Sequence, residues 1–270
     1  MCVEYGTGPG GLPYHRFGSG EQPLVVVPGV MDSLGWNTPR ALNAHLLASY
    51  YFDRLREYDV WVLSRPPGLS DGATVASMAE RYADALDSLG AAHVLGFSLG
   101  GAIGANLAAS RPDLVDSLIL AGSGHSLGPY GKSVMERWEQ FATEGDWPSL
   151  HVDYSRVVYA GLRRSVVPPL YRLGGRLLPT PVYQQDPAIS IAAARSYNGR
   201  ETLSEVEVPT LALGGRDDAL YPTSVREGTA NLVADGYVAT LPGGHAVYEE
   251  SSRTFAATVS QFLSGCEVIG

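Results

Sequence analysis

Three serines in this chain lie between glycines in the pattern Gly-x-Ser-x-Gly. They are Ser70 in Gly68-Leu69-Ser70-Asp71-Gly72, Ser98 in Gly96-Phe97-Ser98-Leu99-Gly100 and Ser126 in Gly124-His125-Ser126-Leu127-Gly128. A serine hydroxyl is a weak nucleophile until a neighbouring base takes its proton. The pattern becomes chemistry only on a sharp strand-to-helix turn, where glycines allow unusual backbone angles and close packing. Context separates the three. The apolar pair Val94-Leu95 leads into Ser98, and Gly100-Gly101-Ala102 lets a helix begin at once. Ser70 follows two prolines and precedes Asp71-Gly72, which reads as a loop. Ser126 also follows an apolar run, but Gly128-Pro129-Tyr130-Gly131 is expected to delay any helix. Ser98 is therefore the candidate nucleophile.

Six histidines could serve as its base: His15, His45, His93, His125, His151 and His245. His245 stands in Pro242-Gly243-Gly244-His245, on a glycine-rich loop after the last strand-like run, where an imidazole can approach another loop. His93 opens the run leading to Ser98, so it belongs at the opposite end of that strand. His125 is the main rival. A base also needs a carboxylate to fix its tautomer and stabilise its protonated form. Gly214-Gly215-Arg216-Asp217-Asp218 offers two, Asp217 and Asp218, and its spacing alone leaves both open.

The elements that must position these groups are legible as apolar runs. Pro13 to Gly18 reads as a short strand. Leu24 to Val27, Asp59 to Leu63, Ala92 to Phe97, Val115 to Ala121, Thr210 to Leu213 and Tyr237 to Leu241 read as further strands, the first as one buried on both faces. Helical patterns fall between them, over 39–52, from a Thr74 cap to Leu89 and Gly90, over Gly100 to Ser110, Thr223 to Val233 and Ser252 to Leu263. Strand alternating with helix predicts an α/β fold with a mostly parallel sheet covered by helices on both faces. The alternation lapses from Gly122 to about Val206, where only candidate helices appear, such as Ser133 to Thr143 and Pro187 to Tyr197. This stretch is rich in aromatic residues. We expect a core of residues 1–122 and 207–270 and a mainly helical lid or cap insertion of residues 123–206, above the carboxyl ends of the strands where open α/β sheets bind ligands.

The 270 residues, 45% hydrophobic and 17% charged, suffice for a sizeable core. A formal net charge of −9 disfavours nucleic acid and anionic membranes as partners. Cys2 and Cys266 form no disulfide framework and lack metal-ligand spacing. No basic-then-apolar leader and no transmembrane-length run is visible, so a cytoplasmic location is the expectation.

With these residues in hand, the sequence resembles the α/β-hydrolase superfamily, in its serine-nucleophile branch with a helical lid. The chain order Ser98, Asp, His245 is the order of that layout. The family's Gly-x-x-Asp-x-x-x-Pro segment matches Gly215, Asp218 and Pro222, which favours Asp218 as the acid. Its Gly-His segment, often with an acid four positions later, matches Gly244-His245 and Glu249. The resemblance implies an oxyanion hole made by the backbone N–H groups of Leu99 and Val30, with Met31 as the fallback. Two departures stand out. Pro28 replaces the family's His before Gly29, and Leu63 and Pro66 replace the Asp and first Gly of its Asp-x-Arg-Gly-x-Gly-x-Ser segment, of which Arg65, Gly68 and Ser70 remain. The implied activity is hydrolysis of a carboxylic ester, thioester or lactone of a small to medium apolar substrate, with no cofactor and no metal. A lyase or cyclase, or a ligand-binding receptor on the same fold, is the alternative.

Overall fold

The computed structural model describes residues 3–265; Cys2 and Cys266 lie outside the described residues. Eight strands form one sheet: β1 (Glu4–Thr7), β2 (Pro13–Gly18), β3 (Pro23–Val27), β4 (Asp59–Leu63), β5 (Ala92–Phe97), β6 (Val115–Ala121), β7 (Thr210–Gly215) and β8 (Gly236–Leu241). Their spatial order is β1-β2-β4-β3-β5-β6-β7-β8. The β1–β2 and β2–β4 pairs are antiparallel and the other five are parallel. The expectation of a mostly parallel α/β sheet holds. The strand β1 has no clear signal in the sequence, being four residues long and mostly exposed.

The apolar runs are continuous because both sheet faces are covered. Alternate side chains of one strand enter different cores. Val25 and Val27 of β3 join the cluster that includes Leu99, Ile103 and Met78, while Leu24 and Val26 join Phe52, Phe255 and Val259 on the other face. Helices α1 (Ala41–Leu46), α2 (Val75–Leu89) and α3 (Leu99–Ser110) follow β3, β4 and β5. Thr74 and Ser77 form a reciprocal capping box at the start of α2, and Gly90 ends it at φ 90°.

Between β6 and β7 the chain is helical and contains no strand: α4 (Pro129–Glu144), α5 (Trp147–Val158), α6 (Arg163–Gly174), α7 (Asp186–Ser196) and α8 (Arg200–Ser204). This is the lid insertion. Helix α4 starts at Pro129, four residues earlier than the sequence suggested, because proline's fixed φ suits the first helical position. Pro129 therefore begins a helix where we expected it to delay one. The separation of Ser126 from a helix comes instead from the irregular stretch before Gly128. Hydrogen bonds tie the lid to the core at several points. The buried Asp186 carboxylate of α7 accepts the N–H groups of Gly68 and Leu69 at 2.8 and 2.9 Å. Ala160 N–H donates to Glu250 Oε1 at 2.8 Å, and Ala246 N–H to Val158 O at 3.0 Å.

The remaining helices are α9 (Thr223–Ala230), α10 (Val247–Glu250) and α11 (Ser252–Leu263). No helix among the described residues is long and apolar enough to cross a membrane.

His15 of β2 is fully buried, and burial lowers its pKa to about 4 against the opposing charge of Asp32. The unfolded chain takes up this proton near pH 6.5, the folded chain only near 4. Stability therefore falls as pH drops through that window, by about 1–3 kcal/mol from this residue. Burial lowers His93, His125 and His151 in the same direction. Urea unfolding at pH 7 and pH 4.5 should show this loss, and a His15→Leu variant should show a smaller one.

Candidate active site

The parallel order places β4 on one side of β3 and β5 on the other, so successive connections leave in opposite directions between β3 and β5. Such a switch point opens a crevice at the carboxyl ends of the strands. Ser98 sits there, as the residue between β5 and α3. Its φ is 51°, and it is the one non-glycine residue with positive φ among the described residues. Backbone strain of this kind costs about 1–3 kcal/mol and collects at functional sites. The turn is held from several sides. Ser98 N–H donates to Ala121 O at 3.0 Å, and Ser123 Oγ donates to Ser98 O at 2.8 Å. A side chain at Gly100 would run into the carbonyl of Val27, and one at Gly96 into the backbone of Gly100. Those glycines are what let α3 start against the sheet.

His245 is brought to the same place by β8 and the loop after it. Gly122, the residue after the carbonyl that accepts from Ser98, packs on the His245 ring: a Cβ there would lie 3.2 Å from Cε1 and Nδ1. His245 Nδ1 is 3.0 Å from Asp218 Oδ2. Asp218 Oδ1 accepts the N–H groups of Leu220 and Tyr221 at 2.9 and 3.1 Å, so the carboxylate cannot turn. Asp218 is buried and Asp217 is exposed. Tyr221 stacks on the imidazole with ring centroids 6.0 Å apart. Burial pushes its phenol well above the usual tyrosine range.

The rivals are placed elsewhere. Ser70 is an exposed loop residue. His93 lies near the start of β5 and hydrogen-bonds Ser117. His125 is buried between Thr229 and Arg200, whose guanidinium lies 2.8 Å from its Nε2.

The two expected oxyanion donors both sit at helix starts, where N–H groups have no partner inside the helix. Leu99 is the first residue of α3, and Val30 opens a short helical turn, Val30–Leu34, after Gly29. Gly29 lies against Ser98, since a Cβ on it would be 3.3 Å from Ser98 Cβ. The loop is braced by a residue pair whose role the sequence did not reveal. Arg65 Nη1 and Nη2 donate to the carbonyls of Pro28 and Gly29 at 2.8 and 2.6 Å, and Asp32 Oδ2 accepts the Arg65 N–H at 2.9 Å. Both side chains are almost wholly buried, with Arg65 Nη2 3.7 Å from Asp32 Oδ2.

Ser98, His245 and Val30 line one cavity of about 640 Å³, a size suited to a small ligand. Its other walls include Trp36, Leu46, Leu47, Phe97 and Trp138, together with Tyr51, Tyr154, Tyr159, Tyr171, Tyr248 and Glu249. Of the aromatic residues in the lid, Trp138, Tyr154, Tyr159 and Tyr171 reach the cavity, whereas Trp147 and Phe141 pack into the apolar core. The acid that braces the histidine loop is Glu250, which accepts Gly244 N–H at 2.6 Å as well as Ala160 N–H. Glu249, the acid four positions after His245, lines the cavity.

Comparison with known proteins agrees with this arrangement. The family described as alpha/beta hydrolase fold matches residues 22–252. A Yersinia enterocolitica protein described as a carbamate hydrolase, RutD, is 28% identical over 238 residues, covering 78% of this chain and 77% of that protein. A pimeloyl-(acyl-carrier protein) methyl ester esterase of Neisseria meningitidis is 26% identical over 213 residues, covering 71% and 75%. The crystal structure of a hydrolase from Pseudomonas aeruginosa superposes with a TM-score of 0.73 at 25% identity, covering 97% of this chain and 98% of that one. An enol-lactonase from Burkholderia xenovorans superposes at 0.74 with 20% identity, which speaks for the fold alone. The sheet order, the strained strand-to-helix turn and the match across most of the sequence agree: the chain belongs to the alpha/beta hydrolase fold family.

Proposed function

We propose that the protein is a serine hydrolase that cleaves a carboxylic ester, or a related thioester or lactone, through Ser98, His245 and Asp218. The observation that carries this reading is the positive φ of Ser98 at the mouth of a cavity shared with a histidine already paired to a buried carboxylate. Ser98 Oγ attacks the carbonyl carbon while His245 takes its proton, and Asp218 holds the imidazole with Nε2 free to accept it. The N–H groups of Val30 and Leu99 stabilise the oxyanion, a contribution of about 3 kcal/mol per donor in sites of this kind. His245 then protonates the leaving alkoxide, thiolate or ring oxygen. In the second half it takes a proton from water, which attacks the acyl-enzyme and releases the acid and free Ser98. None of these steps calls on a cofactor.

Names of relatives lean the same way, since those quoted above are described as a carbamate hydrolase and a methyl ester esterase. The division into a core of 1–122 and 207–270 and a lid of 123–206 belongs to the same proposal. It is supported by the helical run α4–α8, whose Tyr154, Tyr159 and Tyr171 reach over the cavity.

A fluorophosphonate probe tests the reading. One adduct should form, on Ser98 by peptide mass spectrometry, and be absent from His245→Ala. An adduct on Ser126, or none, would remove Ser98 from the role.

A further inference from the structure

The wall of the cavity beside His245 is neither apolar nor a simple core. It is built from aromatic rings around one carboxylate. Glu249 projects from α10 with its side chain 11% exposed. Its Oε2 accepts the Tyr159 hydroxyl at 2.9 Å. The phenols of Tyr248, Tyr154 and Tyr171 lie near enough to feel the charge of the same carboxylate. Tyr51 closes the ring from the segment after α1, 5.9 Å from Tyr248 by centroids. Trp36 stacks on Tyr171 at 6.2 Å. Five segments distant in sequence thus converge to put six rings and one acid on a single wall.

A buried carboxylate is expensive unless a positive charge or several donors compensate it. Its surroundings leave Glu249 short of that compensation: burial raises its pKa, against the opposing pull of Tyr159, Arg163 and Tyr248. Aromatic faces carry negative charge at their centres, so rings grouped round a carboxylate make a site for an organic cation and a poor one for an anion. The cluster already holds one such cation at its rim. The Arg163 guanidinium of the lid lies 5.8 Å from the Tyr159 ring centroid and 3.4 Å from Glu249 Oε2. That side chain is 40% exposed and comes from the lid side, whereas the phenols of Tyr51, Tyr154 and Tyr171 face the cavity that contains Ser98.

We infer that this wall is a subsite for a substituted ammonium group, and that the preferred substrates are esters whose acyl or alcohol part carries such a cation within reach of Ser98. This rests on the esterase reading, but the subsite can be tested without turnover. Choline and neohexyl alcohol have the same shape, with nitrogen in one where the other has carbon. Each is titrated into the Ser98→Ala protein by calorimetry. Choline should bind at least about tenfold more tightly, the size of a partly desolvated cation–π and carboxylate contact. Glu249→Gln should erase that preference. Arg163→Gln, which removes the internal competitor, should strengthen choline binding and so guards against a Glu249 variant that fails to fold. Equal binding of the two alcohols, or weaker choline binding in Arg163→Gln, would overturn the subsite. An absence of probe labelling on Ser98 with choline selectivity intact would overturn the esterase reading and leave the cation site standing.

Discussion

Ser98→Ala should lower kcat/KM for any ester the protein hydrolyses by about four to six orders of magnitude, while the protein stays folded. The size follows from the role: removing the nucleophile of a serine triad leaves only the oxyanion hole and substrate binding to accelerate attack by water. The folded state should barely notice. Alanine keeps the Cβ, so the left-handed backbone at φ 51° is no worse tolerated than before. The two bonds that hold the turn use the backbone of residue 98, from its N–H to Ala121 and to its carbonyl from Ser123, and both survive. Loss of the hydroxyl removes side-chain hydrogen bonding worth about 1 kcal/mol. Steady-state kinetics with a thermal melt on the same preparation separates the two effects. A Ser98→Ala protein that keeps its activity would end the proposal.

Asp218→Asn should cost about 10⁴ in kcat, for a reason the local geometry makes specific. Oδ1 faces two backbone donors, the N–H groups of Leu220 and Tyr221. An asparagine amide would therefore place its carbonyl oxygen there and its NH2 toward His245 Nδ1. That nitrogen would then have to accept, moving the ring proton to Nε2 and leaving nothing to take the proton of Ser98. Asp217→Asn, at an exposed neighbour, should change kcat by less than about twofold. The paired kinetics decide between the two aspartates. A large loss in Asp217→Asn with an active Asp218→Asn would reverse the assignment.

How much of this was legible in the sequence depended on whether a local signal existed. The strands β3 to β7 announce themselves because burial on both faces gives largely apolar runs, and β5 and β6 match the expected limits residue for residue. Ser98 was legible because its turn needs glycines at fixed neighbours. The lid was less so. Helices α5, α6 and α8 left no periodic pattern we could read, and α6 contains Pro168 and Pro169, which argue locally against a helix. Least legible were the pairings made only by tertiary structure. Nothing near Arg65 announces that it will hold the carbonyls of Pro28 and Gly29. The tyrosines that meet at Glu249 come from the segment after α1, from α5, the residue after it, α6 and α10, so no window of sequence contains them together.

The junction between β6 and β7 carries a kinetic consequence. Leu118 pairs with Thr210 across the whole insertion, so closing the sheet there means closing a loop of about ninety residues, a slow contact of high order. Ser98 and the Val30 loop lie on one side of this closure, and Asp218 and His245 on the other. In synthesis from the N-terminus, the nucleophile's half of the sheet can form while its base is still untranslated. On dilution from denaturant, the fluorescence of Trp138 and Trp147 reports the packing of adjacent helices, α4 and α5, joined by a short link. Reactivity at Ser98 has to wait for the two halves to zip, and so it reports the final step by which the chain becomes native.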